Sequence, residues 1–200
     1  HRFFPGTPAY RWPLLEARIG TELWVKHENH TPVGAFKLRG GLIFLNDLAQ
    51  APTRPKGVIA ATRGNHGQAI ATAGRHFGIP VTIVVPEGNS VEKNAAMQAQ
   101  GADLRIHGHD FQAAADYAKD VAAAEGLTML PSFHPLLVRG TGTYALEFFR
   151  AAGDLDVAYV PIGLGSGICG MIAARDALGL KTQIVGVVAD GAQAYKLSFE

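Results

Sequence analysis

The sequence predicts an α/β fold built on parallel sheet, and three observations carry that expectation. Short apolar runs rich in β-branched residues alternate with helix-length segments along the chain. Two of the runs are closed by proline, at Pro86 and Pro131. The two loops richest in Gly and polar residues, 62–68 and 163–167, each join an apolar run to a helical segment. Parallel sheets gather ligands at such carboxyl ends of strands.

Taken in order, 23–26 reads as a short strand and 41–50 as helix. Residues 58–62 form a strand, followed by a helix over 69–77 that Gly78 ends. The run 81–85 is the most strand-like of the chain and stops at Pro86. Residues 91–99 are helical, with Ser90 as N-cap and Gly101 closing the segment. A strand over 103–106 leads to an alanine-rich helix over 111–124 and a short strand over 128–130. Helix 143–151, strand 157–162, helix 168–178 and strand 184–188 complete the alternation.

At 200 residues the chain has room for one large domain or two small ones. A net charge of +1 with scattered basic residues gives no case for nucleic acid or an anionic membrane surface. No run approaches the ~20 apolar residues of a membrane span. The single cysteine, Cys169, cannot form an intrachain disulfide, so the expected compartment is reducing and cytoplasmic. The chain starts at His1 without a methionine and stops at Glu200 in what reads as the middle of a fold, so an incomplete chain is expected.

Lys37 lies between a Pro/Gly turn and a helical run, directly after Phe36. A lysine desolvated there would have a lowered pKa and a free amine able to bond an aldehyde cofactor. The alternative is a snorkelling surface lysine.

Gly163, Leu164, Gly165, Ser166 and Gly167 join a strand to a helix. Glycines let backbone N–H groups approach an anion, and the helix dipole favours negative charge, so a phosphate is the natural guest. A tight turn without ligand is the alternative. Gly165, Gly167 and Gly170 also fit a dinucleotide fingerprint, with Asp190 downstream, which keeps an NAD-dependent oxidoreductase open. The loop Arg63-Gly64-Asn65-His66-Gly67 opens a second helix. Its backbone suits a carboxylate or phenolate oxygen, and the Asn65 amide can donate to one.

These three segments, in this order, closely resemble the fold-type-II pyridoxal-phosphate enzymes, in the branch of threonine/serine dehydratases and serine racemases. Val85-Pro86, Gly101-Ala102, Phe133-His134-Pro135 and Gly140-Thr141-Gly142-Thr143 agree with it. The resemblance implies two parallel-rich three-layer domains of the tryptophan-synthase-β-like architecture. Residues 1–47 and 138–200 would form the larger domain, 48–137 the smaller mobile one, with the site in the cleft. It also implies pyridoxal 5′-phosphate as cofactor. Lys37 would be the Schiff-base lysine and would shuttle the Cα proton. Phe36 would sit beside the ring, Asn65 would bond its 3-oxygen, and residues 163–167 would cradle the phosphate. Thr62, Gly64 and His66 would hold the substrate carboxylate. The implied reaction takes a β-hydroxy amino acid to a 2-oxo acid and ammonia, in a homodimer or higher homo-oligomer.

The chain departs from that pattern at three places. Arg63 stands where serine racemases typically carry a serine acting on the second face of Cα, and arginine stays protonated. This favours elimination over racemisation. Arg63 could bind a second carboxylate, as in a hydroxyaspartate, or point to solvent. Val188 stands where many relatives place a glutamate that binds a cation, so no metal is assigned. Family members also continue for about another hundred residues. That missing part normally supplies the group facing the pyridine nitrogen. An amino-acid or nucleotide-binding module that kept the fold without the chemistry remains a further alternative.

Overall fold

The computed structural model describes residues 3–199; His1, Arg2 and Glu200, where the expected chain ends fall, lie outside the described residues. The chain divides into two compact units, one made of residues 1–36 and 141–200, the other of residues 37–140.

The second unit is built on four parallel strands. They are β3 (Val58–Ala61), β4 (Val81–Val85), β5 (Asp103–Ile106) and β6 (Thr128–Met129), in the order β5-β4-β3-β6. Every residue of β3 and β4 is buried, Thr82 included, which is why these strands read as nearly continuous apolar runs without alternation. On one face, Ala114, Ala118, Val121 and Ala122 of helix α5 (Phe111–Glu125) pack against Ile59, Ala61 and Val84. Helix α3 (Asn65–Phe77) lies on the opposite face, where a Cβ at Gly67 would stand 3.4 Å from Ile83 Cγ2. The result is three layers. Helix α4 (Val91–Ala99) starts as the sequence indicates, with Ser90 Oγ accepting from the Lys93 N–H at 3.2 Å.

Helix α2 (Lys37–Ala49) begins four positions before the expected start. The cause is Gly40-Gly41, which lowers helix propensity yet lies inside the helix. A Cβ at Gly40 would stand 3.0 Å from the Leu137 oxygen, and one at Gly41 would stand 3.1 Å from the Ala69 oxygen. These glycines are contact points between backbones. The same applies to α6 (Pro135–Ala152), which starts at Pro135 and runs straight through Gly140 and Gly142.

The first unit carries an antiparallel pair, β1 (Ala9–Arg11) with β2 (Trp24–Lys26), and a parallel pair, β7 (Val157–Pro161) with β8 (Gln183–Val187). The parallel pair agrees with the parallel-rich expectation, and the antiparallel pair adds to it. Helix α1 (Pro13–Ile19) has Pro at its first position and closes on left-handed Gly20, a start-and-stop signal that the periodicity of the segment does not reveal. The core of this unit gathers Tyr144, Ala145, Phe148 and Phe149 of α6 with Val160, and with Met171 and Ala174 of α7 (Ser166–Ala177). A last helix, α8, spans Ala194–Phe199. Among the described residues, no helix is long and apolar enough to cross a membrane.

Candidate active site

In the second unit, Lys37 is the first residue of α2 and is half-buried. Burial pushes its amine below the usual lysine range, so the unprotonated form is more accessible than at the surface. Its charge is felt at His66, on the first turn of α3. His66 is lowered to about 4, first by burial and then by the Lys37 charge, against a hydrogen bond to the Pro131 backbone that raises it. Its Nε2 is buried without a hydrogen-bond partner. The imidazole is therefore neutral near pH 7 and offers one open nitrogen.

Thr62 leaves β3 buried and held in line by its N–H, which donates to the Val84 oxygen at 3.0 Å. Its Oγ1 accepts from the Gly64 N–H at 3.2 Å, which shapes the turn into α3. Gly64 is the N-cap of that helix and no side chain caps it. The first N–H groups of α3 thus lack the usual side-chain acceptor and stand available to an anion. Asn65 and Arg63 are both exposed. Lys93, which drew no attention in the sequence beyond its place in α4, lies over this loop. A Cβ at Gly64 would stand 2.9 Å from Lys93 Cδ and 3.6 Å from its Nζ.

In the first unit, Gly163 and Leu164 are exposed in the loop after β7, and Gly165 caps α7 in the left-handed region at φ 95°. Ser166 and Gly167 form the buried start of α7, again with no side-chain cap. The loop is held from behind. Thr141 Oγ1 donates to the Ser166 oxygen at 2.8 Å, and the Tyr144 hydroxyl donates to the Gly167 oxygen at 3.0 Å. These two bonds fix the backbone where the loop enters α7. Phe36 packs here too, with its ring 3.5 Å from where a Gly167 Cβ would stand and edge-on to Tyr144. The Gly-Thr-Gly-Thr segment had signalled Thr141; nothing in the sequence had singled out Tyr144.

Gly170, the third glycine of the dinucleotide pattern, is not part of the loop. It lies within α7, where a Cβ would stand 2.7 Å from the Gly142 nitrogen. It serves a close helix–helix approach. Among the described residues, no group of three or more His, Cys, Asp or Glu could hold a metal ion.

A profile of the family described as pyridoxal-phosphate dependent enzyme matches residues 2–200. The chain is 31% identical over 195 residues to a biosynthetic L-threonine dehydratase from Haemophilus influenzae, covering 97% of this chain and 38% of that protein. It is 34% identical over 195 residues to an L-threo-3-hydroxyaspartate ammonia-lyase from Saccharomyces cerevisiae, covering 95% of this chain and 60% of that protein. It thus spans less than two thirds of both. Among solved structures, the processed form of threonine deaminase isoform 2 from Solanum lycopersicum superposes with a TM-score of 0.88 at 31% identity. That match covers 96% of this chain and 56% of the other.

Proposed function

Since the chain belongs to the pyridoxal-phosphate-dependent enzyme family, we propose that it carries the catalytic lysine of an ammonia-lyase that converts a β-hydroxy amino acid to a 2-oxo acid and ammonia. The observation that carries this reading is Lys37, an amine lowered by burial at the start of a helix. The likeness to a threonine dehydratase and a hydroxyaspartate ammonia-lyase supports the substrate class.

The residues fit the cofactor. Lys37 offers an amine for its aldehyde, and the uncapped start of α7 with the tied-back 163–167 loop offers N–H donors for its phosphate. Phe36 and Asn65 would flank its ring and bond its 3-oxygen. When bound, the cofactor supplies an electron sink for charge developing at Cα. Lys37 Nζ then takes the Cα proton. Thr62, Gly64 and His66, with the first N–H groups of α3, orient the α-carboxylate. The β-hydroxyl takes up a proton and departs as water, and the released enamine tautomerises to an imine that a second water hydrolyses to the 2-oxo acid and ammonia. Arg63 stands beside this loop as a permanent cation and supplies no base for the second face of Cα, which favours elimination over racemisation. We place the enzyme in a reducing cytoplasm, in keeping with its single Cys169, and as a homodimer or larger homo-oligomer. Light scattering of the purified protein reads the latter.

The test is spectroscopic. The purified protein should be yellow, and borohydride should bleach it. Lys37→Ala should remove the colour and lower turnover about a thousandfold or more. A colourless wild type that binds NAD, or a Lys37→Ala variant with retained turnover, overturns the reading.

A further inference from the structure

Positive charge around the α3 loop exceeds what one carboxylate needs. The helix N-terminus is uncapped, and the Nε2 of His66 is buried there without a partner. Two full cations join them. Arg63 is exposed on the loop itself, and Lys93 lays its stem across Gly64, with Nζ 3.6 Å from where a Gly64 Cβ would stand. Neither side chain has an ion-pair or hydrogen-bond partner among the described residues. The nearest acid in sequence to Lys93, Glu92, is turned to the Ser90 hydroxyl at 2.7 Å. A Cβ at Gly64 would stand 2.9 Å from Lys93 Cδ, so the glycine lets the lysine stem lie close against the loop.

We infer that Lys93 and Arg63 form a second carboxylate position beside the α3 loop, so that the preferred substrate is a β-hydroxy amino acid bearing a further carboxylate on Cβ. The inference rests on the lyase reading for the identity of the first anion. A planar guanidinium can take a carboxylate bidentately, and the ammonium adds a point charge from a second element. A site built for two charges penalises a substrate that brings one, since the unmatched cations gain nothing from it.

Two measurements on the holoprotein decide. In the first, release of 2-oxo acid from threo-3-hydroxyaspartate and from L-threonine gives a ratio of kcat/KM values. Lys93→Gln should lower that ratio about tenfold, and Lys93→Arg should keep most of it. A ratio that Lys93→Gln leaves within about twofold overturns the assignment. In the second, thermal unfolding is followed in malonate and in acetate at equal ionic strength. Malonate should raise the wild-type Tm beyond acetate, and the Arg63→Gln/Lys93→Gln double variant should lose the difference. Equal effects of the two anions on the wild type, or a malonate gain kept by the double variant, overturn the second carboxylate position. A protein that releases no 2-oxo acid from any amino acid but shows the malonate difference sinks the lyase reading and leaves the anion position standing.

Discussion

His66 shows how much a single buried ring can set. It bonds the Pro131 backbone, and its Nε2 has no partner, so Nδ1 is the donor and the ring is held as the Nδ1–H tautomer. Burial and the Lys37 charge both oppose a second proton, which lowers the group from 6.5 to about 4. The consequence for stability has a definite sign. The unfolded chain binds the proton first as pH falls, so stability is full above 6.5 and is lost progressively down to about 4. The loss should be on the order of 1–3 kcal/mol. Urea unfolding at about pH 7 and about pH 4.5 measures it, and His66→Gln should flatten that part of the pH dependence. A variant with the same slope as the wild type would show that other groups govern this range. The same ring illustrates what a sequence conceals. The Asn65-His66 loop was legible as a segment, but the tautomer, the open nitrogen and the neutral charge follow from Pro131 and Lys37, which are distant in sequence.

At the scale of elements, glycine is where the sequence misleads. The strands were legible because β3 and β4 are buried on both faces and read as nearly continuous apolar runs. The starts of α2 and α6 were not, because Gly40-Gly41 and Gly140-Thr141-Gly142 read as breaks. A propensity scale weighs a glycine by its backbone entropy alone. At these positions the dominant effect is the approach of another backbone, and no local pattern reports that. Gly140 is the sharpest instance. A Cβ there would overlap the Arg39 carbonyl oxygen and stand 2.6 Å from Gly40 Cα. Both are rigid helix backbone, so nothing nearby can yield cheaply. Gly140→Ala should cost about 2–4 kcal/mol. Gly88→Ala is the control. It has a left-handed φ of 69° but nothing within 4 Å of a Cβ, so only backbone strain opposes it. That should cost about 1 kcal/mol. Chemical denaturation of both variants ranks them; a Gly88 loss as large as that at Gly140 would refute the close-approach account.

For the whole molecule, the two units differ in how fully each closes its own core. The 37–140 unit pairs four parallel strands and buries β3 and β4 completely. Among the described residues the other unit has only two-stranded pairs, and β7 alternates buried and exposed residues. Tyr159, at the centre of β7, is 72% exposed. A cavity of about 740 Å³ lies within that same unit, lined in part by Trp24, Tyr144, Phe148, Val160 and Met171. Two-stranded pairs are marginal without further packing. Local opening of β7 and β8 should therefore require less free energy than opening of β3 and β4. In the 200-residue chain, backbone amides of β7 and β8 should exchange with deuterium at least about tenfold faster than those of β3 and β4, equivalent to roughly 1.4 kcal/mol. Hydrogen-exchange mass spectrometry resolves the four strands separately. Uniform protection across all four would mean that the 1–36 and 141–200 unit gains its stability from something other than the strand pairing and burial described above.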